Sequence, residues 1–403
     1  MKKRIFISMH YMEIGGAETA LIGMLQSIDY SIYNVDLFLH AHRGEMMQFI
    51  PKEVNILPEI KEYAHIECPM IDVMRDGYWG ILYGRLKARW HTIWYLKRKR
   101  VIESAAGLQY VAKCVSPFLP SLHYLGEYDL AISYVSPHNY VLGKILAKKK
   151  ICWIHTDYTC VDINVKQELP VWSSFDQVMS ISSDVTKTTL SVMPTLKSKI
   201  IEMENILSQA FVRNRAEEFD VTTEFSKWGK NKSNVVNILS IGRFSYQKNF
   251  ENIPDICRRI IGSGVETRWF LIGYGNEGVI RNRIKEAGME RNVIILGKRS
   301  NPYPYIKACD IYVQPSRYEG KSVTVREAQM LCKPVVVTNY PTASSQIIDG
   351  VDGLIVPLDN EECAMNLVKF ILDETLQKKI TDYLECHNYG NEREITKLYQ
   401  LIP

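Results

Sequence analysis

The feature that most constrains this 403-residue chain is a rhythm in its second half, where short, almost uninterrupted apolar runs alternate with helix-length amphipathic segments. The runs are VVNILSIG (235–242), ETRWFLIG (266–273), NVIILG (292–297), CDIYVQP (309–315), KPVVVTN (333–339) and GLIVP (353–357). A strand without polar alternation has both faces buried, and such strands belong to a parallel sheet covered by helices. The first half repeats the rhythm more loosely in RIFISM (4–9), NVDLFLH (34–40), YDLAISY (128–134), KICWIH (150–155) and QVMSIS (177–182). Helical segments such as AETALIGMLQSI (17–28) and SDVTKTTLSVM (183–193), the latter opening on a Ser cap, lie between them. The pattern predicts an α/β fold of two doubly wound parallel-sheet domains, because the chain is too long for one ordinary core. IIEMENILSQAF (200–211) reads as the last strand of the first domain, so the expected domains are 1–205 and 206–385. Residues 386–403 read as a C-terminal helix, broken around Gly390, that can pack back on the N-terminal domain.

Composition narrows the class. Hydrophobic residues at 46% and charged residues at 23% are ordinary for a globular chain. The 9 cysteines form no Cys-x-x-Cys pair, which argues against a disulfide framework or a zinc cluster and fits a reducing cytosol. MKKRIFISMHYM has too short an apolar run before His10 and Glu13 for a signal-peptide core and reads as a buried strand. No stretch reaches the ~18 consecutive apolar residues of a membrane-spanning helix. The net charge is +4, and its surplus lies entirely in residues 1–200, where 23 Lys and Arg face 19 Asp and Glu. No nucleic-acid partner is expected. GYWGILYGRLKARWHTIWYLKRKR (77–100) holds six aromatic and seven basic residues and no acid. It suits either an anionic membrane interface or a surface insertion of packed helices. On the first alternative the protein is cytoplasmic and peripheral on the inner leaflet. The run Lys148 to Lys150 reads as a solvated turn before a strand.

Glycines at strand ends point to ligand loops: Gly15, Gly16, Gly242, Gly273, Gly275 and Gly297. In open α/β sheets ligands bind beyond the carboxyl ends of strands, although any one such glycine is also explained by a tight turn. GYGNEG (273–278) matches the G-x-G-x-x-G dinucleotide fingerprint, and Lys298 and Arg299 after the next strand would suit a 2′-phosphate. An NADP-dependent oxidoreductase is therefore one alternative. IGRFSYQKNF (241–250) sends Arg243 and Lys248 from one loop, a fork and a point charge able to converge on a diphosphate. SRYEGKSVTVREAQM (316–330) is a turn running into a helix that begins near Ser322, whose first N–H groups suit an anion. Carboxylates beside an anion site repel the ligand unless they accept from its hydroxyls. Glu327, about a turn inside the helix, is placed to hold a ribose, and Glu319 to reach a hexose across the diphosphate. A glycosidase pair needs acids ~5 to 9.5 Å apart, whereas eight residues of helix span ~12 Å. A protein that binds a nucleotide sugar without turnover is a further alternative. The chain has no D-x-D, so no metal is expected and cations with a helix N-terminus must stabilise the diphosphate.

The E-x7-E spacing of Glu319 and Glu327 ahead of an EA helix, the G-R-x4-K loop and GGAE (15–18) together resemble the retaining GT-B glycosyltransferases of family 4. The likeness covers essentially the whole chain and is strongest over 235–357. It implies two Rossmann-like domains facing a central cleft, the first binding the acceptor and the second the nucleotide sugar. It implies transfer of a hexose or N-acetylhexosamine, with retention, from a nucleotide-diphosphate donor, expected to be UDP-linked. The acceptor would be a glycan or polyprenyl-linked molecule, and polysaccharide or capsule assembly the setting. By the resemblance Arg243 and Lys248 hold the diphosphate and Glu319 orders the donor sugar. The backbone of Gly320, Lys321, Ser322 and Val323 contacts sugar and phosphate, Glu327 takes the ribose, and Gly16 closes on the diphosphate. Gly273 and Gly275 complete the donor-binding set. His155, in CWIHTDY (152–158), lies near the donor sugar's hydroxyl, and the departing phosphate takes the acceptor's proton. Lys321–Ser322 departs from the apolar or small residues common after the Glu-Gly pair, which leaves the donor sugar open.

Overall fold

The computed structural model describes residues 2–99, 104–156, 158, 161–227 and 235–403. The chain divides into two compact units, one of residues 1–207 with 391–403 and one of residues 208–390. In the first unit a seven-stranded sheet comprises β1 (Lys3–Met9), β2 (Tyr33–Leu39), β3 (Asn55–Ile56), β4 (Glu127–Ser133), β5 (Leu146–Ile154), β6 (Gln177–Ser180) and β7 (Ile200–Glu202). Its order is β3-β2-β1-β4-β5-β6-β7, and every pairing is parallel. The second unit has β8 (Val236–Ile241), β9 (Thr267–Ile272), β10 (Val293–Gly297), β11 (Ile311–Gln314), β12 (Val335–Thr338) and β13 (Leu354–Val356). These run in the order β10-β9-β8-β11-β12-β13, again all parallel.

Both sheets are doubly wound, and the order identifies where each can bind a ligand. The strand order reverses between β1 and β4 in the first unit and between β8 and β11 in the second. Crossover helices leave to opposite faces at such a switch point, which opens a crevice beyond the strand ends. The second core explains why its strands lack alternation: all six residues of β9 are buried, and Trp269 packs with Phe250 and Phe370. The Trp269 indole N–H donates to Ser240 Oγ (2.9 Å), whose hydroxyl donates to the Val313 carbonyl (2.6 Å). That chain of bonds fastens β9, β8 and β11 side by side beneath the switch point.

Local details depart from expectation. Lys148, Lys149 and Lys150 do not form a turn but lie inside β5, with Lys149 and Lys150 opposite Leu130 and Ala131 of β4. Lys148 Nζ meets Asp129 Oδ1 at 2.7 Å, so charge pairing at the sheet's end makes a polar run acceptable in a strand. The strand at 200–211 is only three residues long, and Ser208 caps a new helix, Gln209–Ala216. Ser182, one residue earlier than expected, caps the helix Ser183–Val192. Of the polar stretch 217–234, residues 228–234 lie outside the described residues. Helix Glu374–Cys386 ends before Gly390, and the short helix Ile395–Tyr399 belongs to the first unit. There Tyr399 stacks on Tyr33 (4.8 Å) and its hydroxyl accepts from the Asp29 amide at 2.7 Å.

Candidate functional site

Two loops meet at the switch point of the second unit. After β8 the chain passes Gly242 and exposed Arg243 to a short turn, Tyr246–Lys248. After β11 it runs through Ser316 to Glu319, and the helix Val323–Met330 follows. Lys248 Nζ and Glu319 Oε1 join them at 2.5 Å, with both side chains largely buried. Glu319 also accepts from Ser316 Oγ (2.6 Å) and Gln247 Nε2 (3.3 Å). Three donors on one carboxylate define its orientation, and one of them is charged. A Cβ on Gly242 would lie 3.1 to 3.3 Å from the Lys248 side-chain carbons, so the absence of a side chain there lets the lysine cross the loop.

The helix start is held from a third strand. Thr342 and Gln346, beyond β12, reach back: Thr342 Oγ1 donates to the Glu319 carbonyl (3.0 Å), and Gln346 brackets Ser322. The Ser322 N–H donates to Gln346 Oε1, so that amide is engaged within the protein. Gly320, Lys321 and Val323 flank it in partly accessible positions. Gln247, Thr342 and Gln346 escaped sequence reasoning, although each follows a strand end, where ligand loops are sought.

Glu327 stands apart from that network. Its side chain is 3% exposed, and the Tyr303 hydroxyl donates to Oε1 at 2.8 Å. Burial raises its pKa to about 7, against the lowering effects of Tyr303 and the nearby Arg215 guanidinium. Arg215, itself buried, lies 5.6 and 5.8 Å from the rings of Phe211 and Tyr303. Glu319 and Glu327 thus lie on one turn and helix but occupy two environments, one set by a direct ion pair and one by burial beside a tyrosine hydroxyl. Tyr303 and Arg215 had no local sequence signal, since the helices that carry them approach only in the fold.

The dinucleotide alternative loses the residues it needs. A Cβ on Gly273 would overlap the Gly242 carbonyl oxygen, and one on Gly275 would lie 2.7 Å from the Phe244 carbonyl oxygen. Both have positive φ, 157° and 133°. They let the β8 and β9 loops bond edge to edge, Phe244 N–H to Tyr274 O (2.7 Å) and Asn276 N–H to Phe244 O (2.9 Å). Gly278, which should allow close helix packing in a true fingerprint, has nothing nearer than Asn276 Oδ1 at 3.9 Å. Arg299 is engaged by Glu224 (2.8 Å) and Tyr305 (2.9 Å), and Lys298 lies over the Tyr274 ring.

In the first unit Gly16 is exposed as the first residue of the helix Gly16–Gln26, directly beyond β1. His155 follows β5, and its Nε2 donates to the Tyr134 carbonyl at 2.9 Å. Burial depresses its pKa to about 4, so the ring is neutral at pH 7. It is one of a group: His10, His40 and His138 follow β1, β2 and β4. The His10 and His40 rings stack at 4.8 Å, His40 meets Tyr140 at 5.3 Å, and Tyr134 meets His155 at 4.8 Å. Burial also lowers His138 to about 3 and His40 well below its ordinary value. His10 Nε2, His138 Nε2, Asn139 Oδ1, Tyr140 OH, Trp153 Nε1 and His155 Nδ1 are buried with no hydrogen-bond partner among the described residues. Buried polar atoms are normally bonded, so this carboxyl edge offers a set of open donors and acceptors, and His10 Nδ1 also meets Glu67 at 3.1 Å. Only His155 of the group was singled out in sequence.

Residues 220–385 match the family described as Glycosyl transferases group 1. The amylovoran biosynthesis glycosyltransferase AmsD of Erwinia amylovora is 27% identical over 169 residues, 41% of this chain and 47% of that protein. The N-acetylgalactosamine-N,N'-diacetylbacillosaminyl-diphospho-undecaprenol 4-alpha-N-acetylgalactosaminyltransferase of Campylobacter jejuni is 29% identical over 147 residues, 35% of this chain and 39% of its own length. The chain thus spans less than half the length of these two relatives. The crystal structure of Anabaena HepE in complex with UDP and glucose is similar with a TM-score of 0.68 at 14% identity, covering 99% of this chain and 98% of that one. Residues 220–385 are thus similar to the glycosyl transferases group 1 family, and the two parallel-sheet units have the GT-B fold.

Proposed function

We propose that the chain is a retaining glycosyltransferase that moves a hexose or N-acetylhexosamine from a UDP-linked donor to a glycan or polyprenyl-linked acceptor in bacterial polysaccharide or capsule assembly. The observation that carries this is the Lys248–Glu319 pair at the β8/β11 switch point. A lone cation there would suit any phosphate, and a lone carboxylate would repel one. Paired, they suit a ligand with negative charge and hydroxyls side by side, which is the description of a sugar diphosphate. Binding exchanges one ion pair for two contacts: Lys248 and Arg243 turn to the diphosphate, and Glu319 accepts from the sugar hydroxyls. Ser316 and Gln247 keep the carboxylate oriented during the exchange. Gly320, Lys321 and Val323 contribute backbone donors, and Glu327 accepts from the ribose.

In this reading the cations carry the charge that grows on the leaving diphosphate, without a metal. The leaving phosphate takes the acceptor's proton on the same face as the departing bond, which retains the anomeric configuration. The first unit supplies the acceptor side. Its histidines and tyrosines suit hydroxyl-rich ligands, and His155, uncharged at pH 7, donates or accepts without competing for the phosphate. Support also comes from the relatives: one is named for amylovoran biosynthesis and another for a diphospho-undecaprenol acceptor, and HepE holds UDP and glucose. The test is UDP-sugar turnover, with calorimetry against UDP, GDP and ADP. Arg243→Ala and Glu319→Ala should abolish turnover while the fold survives, and unchanged turnover in either refutes the assignment.

A further inference from the structure

The helix Trp79–Lys99 has two apolar faces, and the protein covers one. Ile81, Gly84 and Ala88 are buried. They lie against the helix Ala106–Val115, where Ala88 packs with Ala106 and Tyr110 and the His91 ring stacks on Tyr110 at 5.3 Å. A Cβ on Gly84 would sit 2.7 Å from the Cys114 carbonyl oxygen, so the two helices are as close as they can come. On the opposite side Trp79, Tyr83, Leu86, Trp90 and Ile93 follow one another in steps of four and three, which aligns them along one stripe. With Trp94 beside them they are 47 to 64% exposed. Side chains of this size bury ~150 to 250 Å² each, so the stripe leaves ~600 Å² of apolar surface open, at the upper end for a soluble monomer. Phe118, also exposed, extends it with its ring edge-on to Tyr83 at 6.2 Å.

The charges beside the stripe select its occupant. Lys87, Arg89, Lys97 and Arg98 are exposed, Arg98 lies 3.5 Å over the Trp94 ring, and the sequence has no acid from 77 to 102. A second copy of this chain on the same stripe would bring like charges together, because a two-fold interface pairs a patch with itself. No described helix is long and apolar enough to cross a membrane. We propose that this face lies in the surface of an anionic bilayer, the Trp, Tyr, Leu and Ile side chains in the headgroup and acyl boundary and the cations on phosphates. The inference stands on this helix and not on the transfer reading.

The test is flotation of the full chain with phosphatidylcholine vesicles, with and without phosphatidylglycerol, at low and high salt. Binding is expected on the anionic vesicles and weakened by salt. Lys87→Glu with Arg89→Glu, and separately Trp90→Ser with Ile93→Ser, should each lower partition about tenfold or more. All four positions are exposed, and an unchanged thermal melt confirms folding. UDP binding by calorimetry should be the same in both pairs, so loss of lipid binding and loss of donor binding are read separately. No flotation on either vesicle, equal flotation on neutral and anionic vesicles, or no effect of the apolar pair overturns the proposal. So does sedimentation showing a dimer that the apolar pair abolishes in a chain that does not bind lipid.

Discussion

Replacing Glu327 by Gln separates what the buried acid does for the fold from what it does for a ligand. Burial raises the Glu327 pKa from 4.5 to about 7. Its folded value lies above its unfolded one, so the stability it contributes is complete below about pH 4.5. That stability is lost as the pH rises to about 7, and the loss is constant above. The linkage relation gives a change of about 2.5 kcal/mol between pH 5 and pH 8 for a shift of this size. Gln keeps the shape and can still meet the Tyr303 hydroxyl, but it does not titrate. The parent should therefore lose about 2.5 kcal/mol relative to Glu327→Gln over that range, and the variant should be the more stable protein at pH 8. With two units, a global melt need not be two-state. Hydrogen exchange in a peptide covering the helix Val323–Met330 reads the second unit alone, and the parent-to-variant ratio of protection cancels the intrinsic pH dependence. That ratio should move by nearly two orders of magnitude. UDP should bind the variant more weakly if the ribose needs the carboxylate. A ratio constant from pH 5 to pH 8 would refute the claim that burial raises the pKa of this acid.

Three further expectations follow from the same contacts. Lys248→Ala and Glu319→Ala should be non-additive, with a coupling of about 1 to 3 kcal/mol by urea denaturation of singles and double; an additive pair would mean the ion pair is incidental. Gly273→Ala should cost about 3 kcal/mol or more, because its Cβ meets backbone, while Gly278→Ala should be neutral or stabilising, since nothing lies closer than 3.9 Å. Equal melting of these two variants would defeat the loop-packing account of GYGNEG. The first unit should be acid-labile in the sense opposite to Glu327. His155 and His138 titrate near 4 and 3, below the ordinary 6.5, so their stability is present above pH 6.5 and lost as pH falls. Each should cost about 2.5 kcal/mol by pH 4.5, read as lost exchange protection in β4 and β5, and His155→Gln should remove one share.

Much of the second unit was legible because its strands are buried on both faces, which writes an unbroken apolar run into the sequence at each of them. The Glu319 turn and the start of the helix at Ser322 and Val323 were legible for a similar local reason, a strand followed by glycine and then a helical pattern. β3, only two residues long, carries too little pattern to see. Lys148 to Lys150 misled because the strand's end is defined by pairing with Asp129 and β4 rather than by its own propensity. The return of residues 391–403 to the first unit rests on Tyr399 meeting Tyr33 and Asp29, a contact across more than three hundred residues that no local signal encodes.

Burial pattern, turn chemistry and spacing are properties of neighbours along the chain. They determined the fold class and the loops that bear the site, with two acids and two cations placed on them. Tertiary structure alone decided that Lys248 would hold Glu319, that Tyr303 and Arg215 would surround Glu327, and that four histidines would gather at one sheet edge. It also decided which face of the helix Trp79–Lys99 stayed bare. The physical reason is that strand order and helix packing choose each side chain's partner. The partner then sets charge state and exposure, and those in turn set the chemistry.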